Sequence, residues 1–156
     1  DLSQYIRDIP DFPKPGILFK DITPLLSNPD AFQESVRRLT ERYQNEGIDA
    51  VAAAEARGFL FAAPLALVLH KPLVPLRKPG KLPYRTHHLA YDLETAGARV
   101  LVVDDLLATG GTMAAACHLV KKAGGVVAGC CVLVELEFLK GRELLQPHAV
   151  FSILRY

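Results

Sequence analysis

The chain has almost no net charge: 18 lysines and arginines against 17 aspartates and glutamates leave +1. Such a balance excludes a global pull toward nucleic acid or an anionic membrane, so any anion must be bound locally. No uninterrupted apolar stretch approaches a bilayer span, and no charged-then-apolar leader is visible, which together give the expectation of a cytoplasmic protein without membrane contact. Cysteine is scarce. Cys117, Cys130 and Cys131 fit no metal or redox spacing, and strand alternation would aim the adjacent pair at opposite faces, so they read as reduced packing residues. His70, His87, His88, His118 and His148 have no repeated ligand spacing, and a zinc site is not expected. Repeats and low-complexity tracts are lacking as well.

What is present is enough apolar material for one substantial core, 50% of 156 residues, and the length of a single domain. Leu2 to Ile9 is expected to form one or two amphipathic turns, ended by Pro10 and the Pro13-Lys14-Pro15-Gly16 cluster. Residues this rich in proline form an arm that either covers a sheet edge or serves a pocket. Asn28 or Asp30 can cap a helix from about Ala31 to Asn45, with Phe32, Val36, Leu39 and Tyr43 on one face. Strands are expected over Asp49 to Ala54, Pro72 to Leu76, Val126 to Leu136 and Ala149 to Leu154. Helices are expected after Gly58 through Leu69, from Met113 to Ala123, and from Leu139 to Leu145. This alternation predicts an α/β fold with a mainly parallel central sheet flanked by helices.

The stretch from Arg99 to Thr112 organises the rest. Val100 to Val103 is a continuous apolar run, as in a central parallel strand covered on both faces. Asp104 and Asp105 stand where the run stops, and a short loop then leads through Thr109, Gly110, Gly111 and Thr112 into a helix. Two neighbouring acids at a strand end cannot both be buried without partners, so they point to a polyol, a cation or both. Glycines let backbone approach a ligand, threonines add hydroxyls, and a helix start offers free N–H groups, which suits a phosphate. The plain alternative is an N-cap turn with two surface aspartates. No Gly-Lys-Ser/Thr follows and the three-glycine dinucleotide pattern is absent.

Two further loops follow strand ends. Glu55-Ala56-Arg57-Gly58 puts a guanidinium beside a helix start, where it can bind an anion or pair with Glu55. Arg77, Lys78, Lys81 and Arg85 lie in a segment restrained by Pro79, Gly80 and Pro83, which favours a second anion site over a solvated loop. Ligands of open parallel sheets collect at the carboxyl ends of strands, so the three loops are expected to converge.

These residues resemble the ribose-phosphate signature of type I phosphoribosyltransferases. Phe12 to Thr23, Glu55 to Phe61, Arg77 to Pro83 and Val102 to Thr112 together resemble the adenine phosphoribosyltransferase family along nearly the whole chain. The resemblance implies transfer from 5-phosphoribosyl 1-pyrophosphate to adenine, giving AMP and pyrophosphate in purine salvage. It implies magnesium as the cofactor, held mainly by substrate oxygens and water, and a homodimer. Residues 1–27 would form a small hood over the base within a single domain of residues 1–156. Ala108, Thr109, Gly110, Gly111 and Thr112 would hold the 5-phosphate, while Asp104 and Asp105 meet the ribose hydroxyls. Arg57 and Lys81 would bind pyrophosphate, with Arg77 reaching it from a neighbouring subunit. Adenine would lie between Phe19 and Leu136, its edge read by backbone at Leu18, Phe19 and Lys20. Catalysis would fall to Glu94, handling a proton on the base, and to Asp105.

The chain departs from the family pattern in two places. Thr95 follows Glu94 where a tyrosine is usual, with a short run to Arg99, and Lys20 stands where arginine is common. A phosphoribosyltransferase for another base, such as xanthine, and a non-catalytic regulator that senses the pyrophosphorylated sugar and binds nucleic acid are the rival readings. The Phe12 to Thr23 arm argues against the first, and the lack of a basic excess or added module against the second.

Overall fold

Parallel strands need long crossover connections, and strands joined through helices in this way form the sheet of the computed structural model, which describes residues 1–76 and 97–156. The chain divides into two compact units, residues 1–38 and 39–156, with the boundary inside one helix.

In the first unit, β1 (Arg7–Ile9) pairs antiparallel with β2 (Phe19–Asp21), Arg7 opposite Asp21 and Asp8 opposite Lys20. Side chains repeat that pairing: Arg7 Nε donates to Asp21 Oδ2 at 3.0 Å, and Lys20 Nζ to Asp8 Oδ1 at 2.6 Å. Asp21 also accepts from the backbone N–H and hydroxyl of Thr23 at the start of α1 (Thr23–Ser27). Those Thr23 hydrogen bonds, more than Arg7, hold its carboxyl down at about 2. Residues 2–9 thus divide where continuous turns were expected: a 3-10 turn over Leu2–Tyr5, capped by Asp1, gives way to β1 because pairing with β2 outweighs local helix preference. Helix α2 (Pro29–Tyr43) begins two residues before the expected start, with Ala31 N–H donating to Asn28 Oδ1 at 2.9 Å, the cap that the sequence offered.

The second unit is built on a five-stranded parallel sheet in the order β4-β3-β5-β6-β7. Its strands are β3 (Ala50–Ala54), β4 (Leu73–Leu76), β5 (Arg99–Leu107), β6 (Val126–Glu135) and β7 (Val150–Arg155). Helix α3 (Gly58–Leu69) packs on β3 and β5, and α4 (Gly111–Lys122) on β5 and β6. On the α4 side the core joins Ala50, Ala52, Val100, Val102, Cys130 and Val132 to Met113, Cys117 and Val120. Leu101, Val103, Cys131 and Leu133, which alternate with them, are also fully buried. Both faces of the middle strands are therefore dry, as their unbroken apolar runs require.

Two elements differ from expectation. Strand β5 does not stop at Val103: Asp104 pairs with Val132, Leu106 with Val134 and Leu107 with Glu135. Continued backbone pairing overrides the low strand preference of aspartate, so both acids stand within the strand rather than beyond it. The helix expected from Leu139 to Leu145 is a 3-10 turn (Glu137–Leu139) and α5 (Gly141–Leu144), broken at Lys140, whose φ is +55°. Gly129, expected to mark a close approach, has the Tyr43 ring at ordinary contact distance from where a Cβ would stand, 3.6 Å. It follows a register shift, Val100 pairing with Val127 but Leu101 with Gly129, so that one residue of β6 is looped out.

Candidate functional site

The carboxyl ends of β3 and β5 open into one cavity of about 360 Å³, lined by Glu55 to Arg57 and by Asp104 to Met113. Of the three loops expected to converge, these two do. Arg77 and Lys81, together with Glu94, lie outside the described residues. Leu18, Phe19 and Lys20 are in the first unit, where Phe12 and Phe19 meet edge to face at 5.2 Å and Lys20 is buried on Asp8. Leu136 directly follows β6, largely buried, its N–H donating to Leu107 O at 2.9 Å.

Asp104 and Asp105 occupy the cavity wall. Asp105 N–H donates to Asp104 Oδ1 at 2.8 Å, and Arg57 Nε lies 3.0 Å from Asp105 Oδ2. Arg57 therefore meets an acid of the central strand. That approach lacks hydrogen-bond alignment, and Asp105 Oδ2 remains buried without a hydrogen-bond partner among the described residues. An unsatisfied buried carboxylate oxygen beside a cavity is a position made for a donor that a ligand brings. Asp104 titrates far from the usual carboxylate range, pushed up to about 7 by its removal from water first, and then by the hydrogen bond and negative charge of Asp105. A carboxyl poised near neutrality can both donate to and accept from a hydroxyl. Gly58 permits the crowding here: a Cβ on it would stand 3.1 Å from Asp104 Oδ1 and from Val103 O.

The loop after β5 turns at Gly110, where φ is +91°, and starts α4 at Gly111 with no side chain capping the helix. Thr109, Gly111 and Thr112 are exposed, so the first N–H groups and the hydroxyls face an open cavity at the positive end of a 12-residue helix.

A buttress behind this loop escaped the sequence reading. Gly110 and Gly141 pack backbone to backbone: a Cβ on Gly110 would lie 2.7 Å from Gly141 O, and one on Gly141 would run into Ala108 O. Arg142 anchors the segment, Nε donating to Glu135 Oε1 at 2.9 Å and Nη1 to Val150 O at 2.8 Å. Glu135 is 3% exposed, also accepts from Ser152 Oγ at 2.6 Å, and is held below the usual range mainly by the Arg142 hydrogen bonds. The available signal was Glu135 itself, a lone acid closing a valine-rich run.

With the cavity defined, comparison with known proteins becomes informative. Residues 22–153 match the family described as phosphoribosyl transferase domain. The chain belongs to the phosphoribosyltransferase family. An adenine phosphoribosyltransferase of Chloroflexus aurantiacus is 55% identical, the match covering all of this chain and 98% of that one. One of Pseudothermotoga lettingae is 50% identical over all of this chain and 99% of its own. Among solved structures, an adenine phosphoribosyltransferase of Thermoanaerobacter pseudethanolicus superposes with a TM-score of 0.91 at 46% identity, over 99% of this chain and 98% of that one. That of Saccharomyces cerevisiae, solved with adenine and an imino-altritol bisphosphate, gives 0.87 at 38% identity, over 98% and 96%. The five-stranded sheet with its flanking helices is thus the type I phosphoribosyltransferase fold.

Two outcomes test this geometry. Because the Asp104 carboxyl binds its proton more tightly folded than unfolded, the stability it contributes is fully present below its ordinary value of 3.8 and is lost as pH rises through about 7. Unfolding free energy of the ligand-free protein, measured by urea titration at several pH values, should therefore fall across that window more in the native protein than in Asp104→Asn. Gly141→Ala should cost about 1–3 kcal/mol by overpacking. It should also weaken AMP binding in calorimetry, since the nearest atoms to the new Cβ are backbone of the loop that would take the 5-phosphate.

Proposed function

We propose that this chain is an adenine phosphoribosyltransferase, joining adenine to the phosphoribosyl group of 5-phosphoribosyl 1-pyrophosphate to give AMP and pyrophosphate. The observation that carries the reading is full-length identity of about half to proteins bearing that name, with Asp104 to Thr112 lining an open cavity. Purine salvage in the cytoplasm is the setting that fits.

In this reading the loop from Ala108 to Thr112 takes the 5-phosphate through backbone N–H groups and threonine hydroxyls. Asp104 and Asp105 take the ribose hydroxyls, whose protons supply the donor that Asp105 Oδ2 lacks. Arg57, with Arg77 and Lys81, serves pyrophosphate, and Leu18, Phe19, Lys20 and Leu136 serve adenine. As the bond to the anomeric carbon breaks, positive charge grows on the ribose and negative charge on the leaving pyrophosphate. The carboxylates stabilise the first and the fixed cations the second. Glu94 manages the proton on the attacking base.

Magnesium fits this cavity as an ion held mainly by substrate oxygens and water, with the carboxyl oxygens of Asp104 and Asp105 on the wall as the hard donors nearest to it. When bound it neutralises charge on the pyrophosphate. A homodimer fits α3, a helix of apolar residues, small residues and one proline, on which Leu60, Leu67 and Val68 stay exposed.

Pyrophosphate release measured with each nucleobase in turn, in the presence of 5-phosphoribosyl 1-pyrophosphate and magnesium, should report turnover with adenine. Turnover confined to hypoxanthine, guanine or xanthine would replace the base assignment, and none with any base would favour a sensing module. Asp105→Asn should lower turnover by about 100-fold. Its unfolding free energy should change by about 1 kcal/mol or less, a neutral amide replacing a carboxylate oxygen that has no hydrogen bond.

A further inference from the structure

Cys117 on α4 and Cys130 on β6 face each other in the core of the second unit, and neither takes part in the site above. Both are unbridged thiols, and their Sγ atoms are 3.5 Å apart. We propose that they form a peroxide-reactive pair that closes to an intramolecular disulfide, Cys117 reacting first and Cys130 resolving it.

Access distinguishes the two sulfurs. Cys117 lines a second cavity, about 110 Å³, together with His118, Lys121, Leu145 and His148, and that space is large enough for hydrogen peroxide. Cys130 does not line it and is fully buried. Charge points the same way. The Cys130 contact and the Lys121 ammonium, one turn along α4, both favour a Cys117 thiolate, whereas the Cys117 contact and burial push the Cys130 thiol up. Cys131, adjacent to Cys130, lies on the other face of the sheet, fully buried, and its thiol is pushed up by desolvation.

The chemistry balances with one peroxide. The Cys117 thiolate attacks one peroxide oxygen, forming an S–O bond as the O–O bond breaks, and the departing hydroxide is protonated to water. Cys130 then gives its proton to the leaving hydroxyl while its sulfur bonds that of Cys117, releasing a second water. Two thiols are oxidised by two electrons and the peroxide is reduced. A disulfide needs about 2.05 Å, so the two sulfurs must close by roughly 1.5 Å, by turning of the side chains together with a shift of α4 against β6. The opposite end of α4 carries Gly111 and Thr112 of the cavity loop. Misplacement on that scale is enough to alter binding there by about tenfold or more.

The test is treatment of the ligand-free protein with a modest excess of hydrogen peroxide, alkylation, and peptide mapping by mass spectrometry. The expected product is a Cys117–Cys130 cross-link within one chain that dithiothreitol reverses, with Cys131 alkylated only after unfolding. In Cys130→Ser, Cys117 should stop as a sulfenic acid that dimedone traps; in Cys117→Ser, Cys130 should survive; Cys131→Ser should behave as the native chain. Calorimetry with AMP, whose 5-phosphate the loop would take, should show weaker binding after oxidation and recovery after reduction. A link through Cys131, oxidation of Cys117 to sulfinic acid with Cys130 untouched, or three intact thiols would overturn the pair. A cross-linked protein that binds AMP unchanged would overturn its coupling to the loop.

Discussion

Asp104 and Asp105 are consecutive residues of a strand whose backbone is still paired on its β6 side, so neither carboxyl can move away from the other without breaking the ladder. Like charges at that spacing, one of them nearly out of water, cannot both ionise freely, and the chain relieves the conflict in two ways. Asp104 holds a proton into the neutral range, and the Arg57 guanidinium comes up to Asp105. Neither remedy satisfies Asp105 Oδ2. The site is thus completed by a ligand rather than by the protein, and the neighbouring glycines follow from the same demand: Gly58 has no Cβ where Asp104 needs room.

The phosphate side of the cavity obeys a different logic. An exposed loop at a helix start is a weak binding site if it can move, and here it is fixed from behind by backbone contact between Gly110 and Gly141. That contact is in turn anchored by Arg142, which spends its guanidinium on Glu135 and Val150 rather than on any ligand. A charge pair with one partner buried and the other half-exposed is a poor source of stability but a good source of geometry, and holding α5 against the loop is the use this one has.

Much of this was legible in the chain. The order of strands and helices followed from apolar periodicity, α3 ended at Leu69 as expected, and the cavity residues of β3 and β5 were singled out by charge at the ends of apolar runs. The length of β5 was not legible, because aspartates interrupt the apolar pattern while the ladder that extends them is non-local. The Gly141 buttress was hidden for the same reason: its partner is some thirty residues earlier and the contact is between backbones, which side-chain patterns do not encode. Arg77, Lys81 and Glu94 fall outside the described residues, so their assignments rest on resemblance.

The looped-out residue between Val127 and Gly129 reaches further than its size suggests. Beyond it, every side chain of β6 is turned to the sheet face opposite the one that simple counting from Val126 would give. Cys130 thereby shares a face with Val102 and sees α4, and Cys131 does not. Were that residue paired in the ladder instead of looped out, the two sulfurs would exchange faces, so a local irregularity selects which thiol becomes the neighbour of Cys117.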